Sequence, residues 1–260
     1  MKKIFSMCLV AMMLLCTITV SAQTNKKQVL IQRTFNVKQF NQLQLSGAVK
    51  VVYRQGPLKV TAKATQQGLN TLHVKQSKGM LNIYTEGTEN RFRSGANVVV
   101  YVSAPDLQKL SASGATEFDC EGLSTTNLQL VVSGASSVEI ENLKCTELNG
   151  TFSGASNAEL QGAAGKSELI VSGASDVDAE LTGQDLKMTL SGASNGDVNY
   201  KGTRASVISS GSSKCDVEVA CRNLQLQASG ASKIKAEGSA VQISEKTSGA
   251  SKIFTAKLKR

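Results

Sequence analysis

Apolar and polar residues alternate with a period of two along most of this chain, in runs of five or six. After Ser172, Val177, Ala179 and Leu181 alternate with Asp176, Asp178 and Glu180. Thr182–Asp185 then turns the chain, and Leu186, Met188 and Leu190 alternate with Lys187 and Thr189. After Ser210 the apolar positions are Cys215, Val217 and Val219, then Leu224, Leu226 and Ala228. Period two over such a length predicts a strand with one buried face. Each unit therefore predicts two strands that meet at a polar corner.

The units are bounded by the tetrapeptide SGAS or a near copy, starting at Ser113, Ser133, Ser153, Ser172, Ser191, Ser210, Ser229 and Ser248. The intervals are 20, 20, 19, 19, 19, 19 and 19 residues. Self-similarity at a fixed short period indicates stacked repeats. Equal residues at equal offsets favour in-register stacking, so the predicted fold is an all-β parallel β-helix of 19–20-residue coils. An antiparallel β-meander with SGAS as hairpin turns is the alternative. In the turn, Gly supplies a positive φ or room for a neighbouring backbone. Ala is expected to point inward at the bend, and the Ser hydroxyls to bond along the axis.

Residues 23–105 read differently. Strand-like runs cover Val29–Val37, Leu43–Tyr53, Leu58–Ala64, Leu72–Gln76, Met80–Tyr84 and Val98–Val102, with turns at Gly56-Pro57 and Lys78-Gly79. This N-terminal all-β region is expected to cap the first coil. Ser94-Gly95-Ala96 falls nineteen residues before Ser113, although Asn97–Pro105 does not match the repeat. The last residues, Ile253–Arg260, also depart from it, and their charges would blunt the final edge. Residues 1–22 read as a signal peptide: Lys2 and Lys3, an apolar run to Val20, then Ser21-Ala22 before Gln23. The expected organisation is thus 1–22 signal peptide, 23–105 N-terminal region and 106–260 SGAS-repeat β-helix.

Composition narrows the function. The chain has no Trp, and its prolines are Pro57 and Pro105. Its core must be built from small aliphatics at regular spacing. Past Ala22 no apolar run reaches the ~20 residues that a membrane-spanning helix needs. Charge is uneven: +10 over 23–105, −10 over 106–197 and +7 over 198–260. An exported chain without aromatic-rich basic motifs is not expected to bind nucleic acid. Cys120, Cys145, Cys215 and Cys221 follow Ala22. Their offsets place Cys120 and Cys215 inward and leave Cys215–Cys221 as the sole near pair, so thiols rather than disulfides are expected.

The catalytic inventory is thin. His73 is the single histidine, which speaks against histidine-rich metal sites and serine triads. No cofactor is expected. One series stands out six residues after each leading Ser: Asp119, Glu139, Glu159, Asp178, Asp197 and Asp216, ended by Lys235 and Phe254. Stacked at ~4.8 Å, these carboxylates form one outward ladder. Its readings are a solvated face that blocks lateral sheet association, or a strip for a cation or cationic partner. A carbohydrate-active enzyme would instead need unrepeated charges where the basic N-terminal region meets the first coils. Arg91, Arg93, Glu117 and Asp119 are the candidates.

Phe40–Gly56 (FNQLQLSGAVKVVYRQG), Leu58–Ala64, Gly79–Tyr84 and Val98–Leu110, followed by the serial SGAS units, resemble the auto-transporter adhesins with the head GIN domain. These are exported proteins of Bacteroidetes-type bacteria. The resemblance implies an all-β fold with a right-handed β-helix and no catalytic motif. It implies a non-enzymatic surface or periplasmic binding scaffold that presents its β-helix faces to a surface glycan or envelope protein. Self-association through the coil ends is a further expectation.

Overall fold

The computed structural model describes residues 29–86 and 98–259. The leader at 1–22, Arg91, Arg93 and Ser94-Gly95-Ala96 lie outside the described residues. The N-terminal strands are β1 (Ile31–Phe35), β2 (Gln42–Ser46), β3 (Lys50–Gln55), β4 (Lys59–Ala64), β5 (Leu72–Ser77), β6 (Met80–Thr85) and β7 (Val99–Ala104). A six-residue helix, α1 (Gln66–Thr71), stands between β4 and β5. Then come β8 (Lys109–Ala112), β9 (Glu117–Cys120), β10 (Leu123–Val132), β11 (Ser137–Phe152), β12 (Asn157–Val171) and β13 (Asp176–Leu190). The last are β14 (Asn195–Ser209), β15 (Lys214–Ala228), β16 (Lys233–Thr247) and β17 (Lys252–Lys259).

From β10 to β17 every strand pairs in parallel with the next, equal offset against equal offset save where the register shifts within β11–β12 and within β16–β17. This is the parallel β-solenoid of the repeat, and the meander is excluded. The polar corner does not break the coil. Thr182 and Gly183 pair with Lys201 and Gly202, so each coil from β12 to β16 holds one bent strand rather than two. The change of interval from 20 to 19 is absorbed at one place. The β11–β12 register slips between Ile140 and Leu143, where Asn142 adopts φ 49°. The longer coil carries its extra residue there as a bulge.

The turns stack as a file of glycines. Gly114, Gly134, Gly154, Gly173 and their successors hold φ between +71° and +86°. A Cβ at Gly173 would lie 2.6 Å from the Gly154 carbonyl oxygen. The following N–H takes up that same carbonyl: Ala174 N donates to Gly154 O at 2.8 Å. The residue after the glycine is exposed, contrary to expectation, and the fourth position is the buried one. There Ser175 and Ser194 donate to the carbonyls of Ser172 and Ser191, both at 2.9 Å. A small hydroxyl closes its own turn and needs no water, so a buried polar residue is tolerated.

The N-terminal region supplies coils and a cap. β2 and β3 run parallel to β8 and β9, joined by Ser46-Gly47-Ala48. Gly47 (φ +82°) is the stacking neighbour of Gly114 and heads the glycine file. β6 and β7 stack on the other side of β2 and β3. The coil made first in the chain therefore lies between two made later. Beyond it, β5 and β4 pair antiparallel with β6 and β7, and β1 pairs antiparallel with β4. Leu69 and Leu72 close this end of the core. The far end is barer: Val241 and Phe254 are exposed, and β17 carries Lys252, Lys257 and Lys259 against edge pairing.

Candidate functional site

The acidic series forms one in-register ladder. Asp119 pairs with Glu139, Glu139 with Glu159, Glu159 with Asp178, Asp178 with Asp197, and Asp197 with Asp216. Lys235 and then Phe254 follow. Each is an outward position between buried ones, because strand side chains alternate faces. The two ends are closed by cations. Lys50 Nζ lies 2.5 Å from Glu117 and 2.7 Å from Asp119. Lys214 Nζ lies 2.5 Å from Asp216. The middle four, Glu139, Glu159, Asp178 and Asp197, have no ion pair or side-chain hydrogen bond among the described residues. Partial burial, then Glu159, Asp119 and Glu141, hold the Glu139 carboxyl above its ordinary range. Asp178 is raised too, by partial burial and then by Asp197, Glu159 and Glu180.

Among the described residues no group of three or more His, Cys, Asp or Glu is arranged to hold a metal ion. Glu117 and Asp119 do come together, both ion-paired to the Lys50 ammonium. His73 stacks on Tyr84 at 4.9 Å and contacts Glu86 at 3.5 Å, a surface arrangement on the cap. Cys120, Cys145, Cys215 and Cys221 are free thiols. Burial pushes Cys120 and Cys145 up to about 11 and raises Cys215 as well, which disfavours the reactive thiolate.

A second ladder escaped the sequence reading. Glu147, Lys166, Asp185, Arg204, Asn223 and Gln242 pair in that order along the axis. They line one wall of a groove of about 840 Å³ that follows the axis from β11 to β16. A second row two residues further along the same strands, Asn149, Glu168, Lys187, Ser206, Gln225 and Ser244, lines its other side. Unlike charges meet here. Lys187 Nζ is 2.7 Å from Glu168, and Arg204 forms a two-pronged pair with Asp185, with Nη2 2.8 Å from Oδ2. That guanidinium holds the Asp185 carboxyl below its ordinary range. The available signal was the alternation Lys166, Asp185, Arg204, each thirteen residues after its leading Ser.

The fold and these surfaces define a class: a capped β-solenoid whose outward positions form continuous ladders. Within that class, the family described as "Putative auto-transporter adhesin, head GIN domain" matches residues 39–203 and 184–260, and the chain belongs to it. Solved structures share the fold. A "putative adhesin" from Bacteroides fragilis NCTC 9343 is 20% identical, with TM-score 0.66 over 86% of this chain and 96% of that one. A "putative lipid binding protein" from Parabacteroides distasonis ATCC 8503 is 14% identical, with TM-score 0.75 over 88% and 96%. A "putative adhesin" from the same strain is 15% identical, with TM-score 0.65 over 85% and 97%. At these identities the likeness is one of fold. No curated protein matches the chain.

Proposed function

We propose that this protein is an exported, non-enzymatic binding scaffold, held in the periplasm or on the outer surface. It presents its solenoid faces to a surface glycan or envelope protein. The family is described as "Putative auto-transporter adhesin, head GIN domain", which supports a binding role, and no described helix is long and apolar enough to cross a membrane. The observation that carries the reading is the middle of the acidic ladder. Glu139, Glu159, Asp178 and Asp197 stack without a basic partner, while Lys50 and Lys214 close the ends. Like charges one strand apart cost some tenths of a kcal/mol per pair, on the order of 0.2–1 kcal/mol. A strip that bears this cost gains most from an outside cation or a cationic partner surface.

The test combines location and binding. Cell fractionation with surface proteolysis should find the chain outside the cytoplasm. Purified mature chain should bind isolated envelopes. A variant with Glu139→Gln, Glu159→Gln, Asp178→Asn and Asp197→Asn should lose most of that binding while melting no lower than the parent. A cytoplasmic location, equal binding by the variant, or release of reducing sugar from envelope glycan would each defeat the reading.

A further inference from the structure

The acidic ladder ends where the sign of the sheet changes. Past Asp119 the same outward row continues through Val52 of β3, Tyr101 of β7, Thr61 of β4 and Thr34 of β1. The cations on this part of the face divide into two groups. Lys50 is held by Glu117 and Asp119, and Arg54 by Glu121 at 3.2 Å. Lys59 and Lys63 are exposed and have no carboxylate partner among the described residues. Lys63 Nζ lies instead 5.1 Å from the centre of the Tyr101 ring.

Val52, Arg54, Lys59, Thr61, Lys63 and Tyr101 line a pocket of about 250 Å³ here. Thr61 is its floor. It stands between the core-facing Val60 and Ala62, so by strand alternation it faces outward. Yet it is 4% exposed, and its hydroxyl has no hydrogen-bond partner among the described residues. A closed-off hydroxyl without a partner in a native structure calls for an explanation, and a bound acceptor supplies one. Lys59 and Lys63 stand two residues to either side of it, about 7 Å away at the rise of a strand. A hydroxyl donor flanked by two cations suits an anion. Its cross-strand neighbour Tyr101 is 41% exposed and adjoins Val52, so apolar surface lies beside the cations.

From this arrangement we infer that the outer face of the cap binds a single acidic sugar, a uronic acid residue carried by a glycan. Its carboxylate accepts from the Thr61 hydroxyl and pairs with Lys59 and Lys63. The apolar side of the sugar ring packs on Tyr101 and Val52. Free phosphate or sulfate matches the cations but leaves that apolar pair uncovered. A long polyanion lying along the axis would run from the pocket onto Asp119, Glu139 and Glu159. A single-stranded nucleic acid stacks successive bases on several aromatic rings, and Tyr101 is the one aromatic residue of the pocket among the described residues. The inference rests on the binding-scaffold reading and gives it a ligand class and a place, but it makes no use of the acidic strip.

The experiment is NMR titration of the isotope-labelled mature chain with methyl glucuronide and methyl galacturonide. Methyl glucoside, inorganic phosphate and an oligothymidylate are the comparators. At least one uronide should bind at millimolar concentration and shift the amide signals of Lys59–Lys63 and Tyr101, with every comparator weaker by tenfold or more. Lys59→Gln with Lys63→Gln, both exposed, should weaken uronide binding at least tenfold. Thr61→Val keeps the shape and removes the hydroxyl; it should weaken binding about tenfold, the worth of a hydrogen bond to a charged group, while melting no lower than the parent. No uronide binding at millimolar concentration would overturn the assignment. So would signal shifts confined to other strands, equal binding of the neutral glucoside, tighter binding of phosphate or oligothymidylate, or unchanged binding by the lysine variant. The acidic-strip variant should bind uronide no more weakly than the parent, so a failure of the strip reading and a failure of this one are told apart.

Discussion

The acidic ladder and the groove ladder lie on the same sheet, are built from the same coils and have the same spacing, yet they behave as opposites. In the first, Glu139, Glu159, Asp178 and Asp197 each face another carboxylate one coil away. In the second, Glu147, Lys166, Asp185 and Arg204 each face the opposite sign. An in-register parallel stack converts whatever recurs at one offset into a line along the axis. If the residue recurs unchanged, the line is a repelling strip that attracts ions or partners from outside. If it alternates, the line satisfies itself and leaves only its neutral groups free.

The largest expected effect removes the register on which both ladders depend. Gly173→Val places a side chain 2.6 Å from the Gly154 carbonyl at φ +76°. It should cost about 3 kcal/mol or more in chemical denaturation, through backbone strain and lost turn bonding. A loss below about 1 kcal/mol would show that the glycine file does not fix the register.

Charge reversal should separate the ladders by sign. Glu159→Lys sets a cation between Glu139 and Asp178 and should stabilise by about 1 kcal/mol at low salt. Arg204→Glu sets a carboxylate beside Asp185 and should lower the melting temperature. Both effects should shrink in about 1 M salt, where the screening length is about 3 Å. Equal signs for the two variants would erase the distinction.

Acid should distinguish them more gently. Glu139 and Asp178 are raised above their ordinary values of 4.5 and 3.8. The folded state therefore binds their protons more tightly, and their contribution to stability improves as pH falls through the raised values. Asp185 is lowered below 3.8, so its contribution is present above that value and is lost as pH falls through the lowered one. Melting curves from neutral pH down to about 4.5 should show a gain that Glu139→Gln with Asp178→Asn abolishes. Asp185→Asn should lower the melting temperature at neutral pH and leave that gain in place.

Much of this was legible. The interval of nineteen or twenty and the two-residue alternation gave the parallel coils, the buried faces of Val177, Ala179 and Leu181, and the ladder from Asp119 to Asp216. The turn was half legible. The need for glycine was clear, but which neighbour turns inward was not, because Ala and Ser are similar in size and the hydrogen bond from Ser175 to the Ser172 carbonyl decides it. α1 left little trace: Gln66–Thr71 is short, contains Gly68, and is fixed by the Thr65 cap at Gly68 N. The run Leu43–Tyr53 read as one strand, whereas Gly47 bends it into two.

The sequence alone determined whatever repeats, since in-register pairing brings equal offsets together and a fixed interval states which residues will touch. Only the tertiary structure decided what does not repeat. It set Gly47 against Gly114 across the intervening chain, placed β2 and β3 between coils made later, and closed the end with β4, β5 and β1. Those contacts depend on how bent strands and a cap pack in space, and no spacing along the chain records that.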